Sequence, residues 1–401
     1  MARQRMVHTA ARRVASFFSF EEMATPIFEF SSVFHRLGES SDIVSKETYT
    51  FQDRGGEELT LRPEGTAPVM RAIVSNGLTQ SLPLRFLYIG PMFRYDRPQK
   101  GRYRQFEQVG VELVGPMSPA ADLEVLCFAH MLLTQIGVRD QVKLHINTLG
   151  DKESRARYRE TLVAYLTPFA SELSVDSQRR LSENPLRILD SKEPQDRKIL
   201  ENAPSFEDAL SPESAAYFQE VCTGLDALKI AYHIDRKLVR GLDYYCHTAF
   251  EFICETMGAQ GTVLAGGRYE GLTSAMGGPD IPGVGWAAGT ERLRDLSPHI
   301  PQKAPLFYLV PMGDAPQRES TPLAYALREA GLCVKTDMGG GNMGKRLKRA
   351  DASGATCALI LGEDELARHE ILVKDLASGA QITLALNALA PYLKETFDLK
   401  D

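Results

Sequence analysis

Arg240 sits in Leu238-Val-Arg-Gly-Leu-Asp-Tyr-Tyr245, a glycine-punctuated turn that enters an apolar strand. A guanidinium keeps its charge at any working pH and is costly to take out of water unless an anion pairs with it. Two partners are open: Asp243, close by in the chain, or an anionic ligand such as a carboxylate or phosphate, which arginine grips with two parallel hydrogen bonds. A second cationic stretch runs from Leu84 to Gly115, where an apolar strand, a basic loop and a second strand alternate with period two. The loop carries Arg94, Arg97, Lys100, Arg102 and Arg104 against the single acid Asp96. On the second strand Phe106, Gln108, Gly110 and Glu112 share one side, and Val109, Val111 and Leu113 share the other. A hairpin that brings cations to a floor of aromatic, amide and carboxylate groups suits a nucleotide together with an amine-bearing substrate. The alternative is a solvated basic hairpin, for which Phe106 and Gly110 are poor choices on an exposed face.

Two further segments are weak alone. Leu59-Thr-Leu-Arg-Pro-Glu-Gly-Thr66 ends a strand at Pro63 and holds Glu64 and Thr66 beside a glycine, the composition of an ordinary turn. Gly283-Val-Gly-Trp-Ala-Ala-Gly-Thr-Glu-Arg-Leu293 passes from small residues, which permit close backbone approach to a ligand, to a helix carrying Arg292.

In this order the four segments resemble the class II aminoacyl-tRNA synthetases, and specifically the histidyl-tRNA synthetase family, over nearly the whole chain. The arginine-bearing hairpin indicates only the class; RGLDYY is the specific signal. The resemblance implies an α+β core, an antiparallel sheet flanked by helices, in residues 1–149 and 229–298. It further implies a helical insertion in 150–228 and a C-terminal α/β anticodon-binding domain in 304–401. The activity implied is formation of histidyl-adenylate and pyrophosphate from L-histidine and ATP, then transfer to the 3′ end of tRNA(His). A histidine-sensing regulatory subunit of ATP phosphoribosyltransferase is the alternative; it shares the core but generally lacks the terminal domain and several motif residues.

Residue roles follow from the same resemblance. Neutral imidazole has one N–H donor and one acceptor, so a selective pocket needs an acceptor and a donor at the ring's width, and Glu112 and Tyr245 look like that pair, with Tyr244 beside them. Glu64, Gln108 and Thr66 would meet the substrate ammonium. Arg94 and Arg240 would hold the substrate carboxylate and the α-phosphate as the catalytic pair. Phe106 would stack on adenine, with Arg102 and Arg292 on the outer phosphates. No side chain is assigned to a metal, since Mg²⁺ is expected to arrive with ATP. A homodimer is expected through the amino-terminal helix and the Glu21-Glu-Met-Ala-Thr-Pro26 segment.

A chain of 401 residues has room for two or three domains, and a net charge of −6 makes RNA binding a matter of local basic patches. Six cysteines without CxxC or metal spacing read as reduced thiols in a cytoplasmic protein, and no stretch is long and apolar enough to span a membrane. The amino terminus is Arg-rich and acid-poor up to Glu21, with Val7, Ala10, Ala11, Val14, Phe17 and Phe18 at helical spacing. That allows a mitochondrial presequence or the first helix of the core, and the resemblance places it as the latter. An Arg-Gly…Asp…Leu-Pro segment usual before this helix is not in the sequence, and the run from Phe34 to Glu39 is one residue shorter than usual.

Beyond Lys303 strands alternate with helices, which predicts a mostly parallel sheet. Gly339-Gly-Gly-Asn-Met-Gly-Lys345 matches GxxxxGK, but Arg346 stands where a P-loop needs Ser or Thr. Lys345, Arg346, Lys348 and Arg349 instead suggest a basic helix start for tRNA phosphates, with a solvated charged face as the alternative.

Overall fold

A computed structural model describes residues 1–35, 47–96, 101–189, 191–239, 244–300 and 303–399. The chain divides into two units, Met1–Pro301 and Gln302–Asp401.

In the first unit lie β1 (Glu21–Glu22), β2 (Phe28–Phe30), β3 (Tyr49–Gln52), β4 (Glu58–Leu61), β5 (Leu84–Phe93) and β6 (Gln105–Val114). They are followed by β7 (Lys143–Thr148), β8 (Tyr232–Ile234), β9 (Tyr245–Ile253), β10 (Thr262–Tyr269) and β11 (Gly283–Gly289). Eight of these form a sheet ordered β1-β5-β6-β11-β10-β9-β7-β8, and β2-β4-β3 form a small antiparallel sheet. The large sheet is antiparallel through its middle, as expected, but both edges pair in parallel, β1 with β5 and β7 with β8. Edge strands of two and three residues carry too little alternation to be read from a sequence.

The period-two pattern decides which face does what. Leu87, Val109, Val111, Leu113, Phe250, Phe252 and Trp286 pack against Val7, Ala11 and Val14 of helix Ala2–Phe17 and against Val125, Phe128 and Leu132 of helix Pro119–Gln135. Trp286 keeps its polar atom satisfied there, donating its indole N–H to the Val125 carbonyl at 2.9 Å. Beneath this layer Arg268 and Asp122 form a fully buried ion pair, and Thr248 donates its hydroxyl to the same carboxylate. Removing either charged partner would strand the other in the core, at a cost of about 3–5 kcal/mol.

Helix Lys152–Leu166 is capped by the Asp151 carboxylate, which accepts the Ser154 N–H. With Val175–Glu183 and Pro194–Leu200 it encloses a separate small core of Tyr158, Leu162, Leu166, Ile188, Leu200 and Phe206. Helix Pro212–Ala227 behaves differently from the rest of the 150–228 segment: Val221, Cys222 and Leu225 bury themselves in the main core.

The second unit contains β12 (Leu306–Pro311), β13 (Cys333–Thr336), β14 (Cys357–Leu361), β15 (Glu370–Asp375) and β16 (Gln381–Ala385) in the order β13-β12-β14-β15-β16. The first three are parallel, whereas β15 and β16 run antiparallel, so the sheet is mixed rather than mostly parallel. β16 is largely exposed and offers no apolar run, which hides it in the sequence.

Candidate active site

The polar face of the large sheet floors a cavity of about 460 Å³ inside the first unit. Its acidic end is built around Glu112 on β6, which is 1 % exposed. Thr66 donates its hydroxyl to one oxygen of Glu112 at 2.7 Å, and Tyr269 on β10 donates to the other at 2.8 Å. Burial drives the Glu112 carboxyl up to about 8, against those two hydrogen bonds and with the Glu64 charge adding to the rise. Glu64 caps the helix Thr66–Ser75, accepting the backbone N–H groups of Thr66 and Ala67 at 2.8 Å each, and burial raises its pKa too. Between them Gln108 presents a buried Oε1 with no hydrogen-bond donor. Tyr244 and Tyr245 close this end, with ring centroids 4.7 Å apart and Tyr244 edge-on to Tyr269.

The other end is cationic. Arg94, just past β5, donates through Nε to the Pro63 carbonyl at 2.8 Å, and its guanidinium carbon lies 5.2 Å from the centre of the Phe106 ring. Arg292 donates to the carbonyls of Thr262 at 2.6 Å and Gly101 at 3.2 Å. Arg102 pairs with Asp96 at 3.2 Å. Burial lowers the pKa of Arg94 and Arg292; Arg102 depresses both further, and Arg94 depresses Arg292. Three guanidinium groups pressed together in a recess gain most from a polyanion between them.

Glycines shape this pocket by yielding room to side chains. A Cβ at Gly110 or Gly65 would run into the ring of Tyr88, and a Cβ at Gly285 would run into the Glu112 carboxylate and the Val111 carbonyl. Gly283 does the same for Tyr269. The small residues of β11 therefore make space for the pocket's own acid and its hydroxyl partner, where the sequence suggested approach of the backbone to a ligand. Gly285→Ala is expected to cost about 1–3 kcal/mol in urea unfolding and to weaken the substrate pocket; an unchanged midpoint would show that Glu112 has somewhere else to go.

The comparisons with known proteins follow the same lines. Residues 1–293 match the family model described as histidyl-tRNA synthetase, and residues 307–396 match the anticodon binding domain. The chain belongs to the histidyl-tRNA synthetase family. Among curated relatives, a histidine–tRNA ligase of Gluconacetobacter diazotrophicus is 52 % identical over 384 residues, covering 96 % of this chain and 92 % of the relative. One from Thermosynechococcus vestitus is 49 % identical, covering 94 % and 89 %. The crystal structure of apo histidyl-tRNA synthetase from S. aureus superposes with a TM-score of 0.82 at 35 % identity, over 98 % of this chain and 96 % of that one. As a member of this ligase family the chain is an aminoacyl-tRNA synthetase that joins histidine to tRNA, using ATP. The regulatory-subunit alternative is less supported, since an anticodon-binding domain follows the core.

Within this synthetase the cavity gathers Glu64, Thr66, Arg94, Arg102, Phe106, Gln108, Glu112, Tyr244, Tyr245 and Arg292. Arg240 and Asp243, the pair first in question, lie outside the described residues, as do Arg97 and Lys100 of the basic loop and most of the Phe34–Glu39 run. Two residues escape sequence reasoning. Tyr269 pins Glu112, and its signal is the pair Gly266-Gly267 ahead of Arg268-Tyr269 on an apolar strand. Tyr88 fills the slot between Gly65 and Gly110, a pairing that appears only when β5 and β6 are set in register, with Tyr88 opposite Gly110. No group of three or more His, Cys, Asp or Glu side chains is placed to hold a metal ion among the described residues.

In the second unit the four basic residues divide into two kinds. Arg349 makes a two-point contact with Asp337, both bonds at 2.8 Å, and Arg346 reaches the same carboxylate at 3.2 Å and the Pro311 carbonyl at 2.7 Å. Asp337 is 1 % exposed and also accepts the Tyr308 hydroxyl, so these arginines hold the Gly339–Gly341 turn against the sheet. Lys345 and Lys348 are exposed. Among the described residues no helix is long and apolar enough to cross a membrane.

Proposed function

We propose that the bipolar cavity carries out histidine activation with the roles its two ends suggest. Imidazole lies between Glu112 and Tyr245, beside Tyr244. The ammonium meets Gln108, whose buried oxygen lacks a donor, together with Glu64 and Thr66. The carboxylate then points toward the arginines, where Arg94 and Arg240 steady it against the α-phosphate. Phe106 stacks on adenine, and Arg102 and Arg292 take the outer phosphates. Attack is in line, the carboxylate oxygen forming its bond to the α-phosphorus as the bond to pyrophosphate breaks. No protein nucleophile takes part; positioning and charge stabilisation do the work. The observation that carries this reading is the opposition, across one recess, of a hydroxyl-clamped acid and three converging arginines.

Magnesium would enter with the nucleotide, bound mostly by phosphate and water, with Glu47 and Glu251 among the cavity-wall carboxylates that would complete its shell. The working form is a homodimer. Phe28, Phe30 and Phe51 on the small sheet and Phe17 on the first helix are at least 44 % exposed, an apolar set suited to a second copy. Cysteines without disulfides suit the cytoplasm.

Pyrophosphate exchange with each amino acid, followed by charging of tRNA(His), tests the function. Exchange with histidine alone, plus charging, is expected. Exchange with a different amino acid overturns the pocket assignment, and histidine binding without exchange favours the sensor. For tRNA contact by the second unit, the double variant Lys345→Ala, Lys348→Ala is expected to lower affinity and to flatten the salt dependence by about one unit of slope per contact, leaving exchange intact. Arg349→Ala, by contrast, should destabilise this unit by freeing buried Asp337. An unchanged salt slope in the lysine variant would reject tRNA contact at these residues.

A further inference from the structure

Strand β9 carries Tyr245 at its first position, paired with Tyr269 of β10 on one side and lying past the end of β7 on the other. β7 runs alongside β9 only as far as Thr148 opposite Thr248. The last two bonds between the segments run from the Leu149 N–H to the His247 carbonyl at 2.6 Å and from the His247 N–H to the Gly150 carbonyl at 2.8 Å. At Gly150, where φ is +57°, the chain turns out of the sheet into helix Lys152–Leu166. On its other side β9 slips against β10: Gly267 faces Ala249, but Arg268 faces Cys246, and the surplus residues include His247 at φ +41°. Tyr245 is 8 % exposed, so its backbone carbonyl is held best by a donor on the side where β7 ends.

The donor comes from the insertion. Arg155, one turn into helix Lys152–Leu166, gives an Nη1 hydrogen bond of 2.6 Å to the Tyr245 carbonyl. The start of that helix is itself fixed to the core. The Asp151 carboxylate accepts the Ser154 N–H at 2.7 Å and the hydroxyls of Ser211 and Ser214 at 2.5 and 2.7 Å, tying it to the start of helix Pro212–Ala227. Arg155 therefore stands in for the strand that β7 fails to extend.

We infer that Arg155 is a positioning residue for histidine recognition, coupling the placement of the helical insertion to the placement of Tyr245 opposite Glu112. The inference rests on the reading of Tyr245 as an imidazole partner. Its contribution is specific to one substrate, because Tyr245 lies at the acidic end of the cavity and the phosphate-binding arginines lie at the other.

The test measures KM for histidine and for ATP in pyrophosphate exchange with Arg155→Ala, Arg155→Lys, Tyr245→Phe and the double variant Arg155→Ala, Tyr245→Phe. A bond from a charged donor to a buried carbonyl predicts that Arg155→Ala raises the histidine KM about five- to twentyfold while the ATP KM stays within about twofold. Lysine, keeping a cationic donor, should restore part of the loss. On the Tyr245→Phe background Arg155→Ala should add less than about twofold, because both act on one group. If Arg155→Ala does not fold by circular dichroism, Arg155→Gln is read by the same criteria. A wild-type histidine KM in Tyr245→Phe sinks the role of Tyr245, and this inference with it. A raised KM there, with a wild-type histidine KM in folded Arg155→Ala, sinks this inference alone. Equal rises in both KM values would also overturn it, since they report general loosening of the cavity.

Discussion

Arg94→Ala is expected to lower histidine-dependent pyrophosphate exchange by about 10³-fold or more while leaving the empty protein folded. The two halves of this expectation come from the same geometry. Arg94 is held through Nε by the Pro63 carbonyl and lies against Phe106, so its remaining N–H groups have a fixed direction into the cavity. With no nucleotide bound, burial pushes its pKa down against the attraction of Glu47, Glu64 and Asp96, and Arg102 and Arg292 repel it. Its deletion offsets lost attraction to those carboxylates against relieved burial and repulsion in the empty site, and removes a donor from the α-phosphate in the loaded one. Arg94→Lys should recover little, because an ammonium at that depth loses both the anchored Nε and the planar fork. Exchange kinetics with a thermal melt of each variant decide the matter. Exchange within about tenfold of wild type, in a folded Arg94→Ala, would remove Arg94 from the chemistry.

The same arginine shows why the sequence is informative at this site. The alternation of Phe106, Gln108 and Glu112 against Val109, Val111 and Leu113 is a local property, and the strand preserves it because a one-residue slip would bury Gln108 and Glu112 among the helices. The starts of helices Lys152–Leu166 and Met343–Ala352 are local too, since the capping side chains Asp151 and Asn342 are written beside them. What lies between elements is not written locally. Nothing near Thr66 announces that its hydroxyl will clamp Glu112 forty-six residues on, and nothing near Arg155 points to the Tyr245 carbonyl. The basic cluster after Gly341 is the reverse case. Four cations in a row read as one patch, but the buried acid that claims Arg346 and Arg349 is Asp337, at the end of a different element. Composition records charge; only the fold records which charges are already paired.

Glu112→Gln should separate the two demands placed on the pocket. In the folded protein the Glu112 carboxyl titrates at about 8 against an ordinary value of 4.5, so between those limits the native state holds a proton that the unfolded chain has released. Stability from this group is therefore full below 4.5, falls as pH rises, and levels off above 8. At about 1.4 kcal/mol per unit the loss is at most a few kcal/mol. Glutamine cannot ionise, so the variant should match wild type near pH 4.5 and exceed its stability increasingly up to pH 8, with a constant gap beyond. Catalysis should move the other way. The substrate's ammonium and imidazole N–H favour the ionised acid, so histidine binding to wild type near pH 7 should release a proton, seen as calorimetric heats that differ between buffers of different ionisation enthalpy. Glutamine offers a neutral acceptor and, on its other atom, an N–H₂ facing either Thr66 or Tyr269, and the loss of a charge-assisted bond at a buried site corresponds to about 10²-fold or more in kcat/KM for histidine. Parallel stability curves for the two proteins from pH 5 to 9, or buffer-independent binding heats in wild type, would show that Glu112 is ionised before histidine arrives.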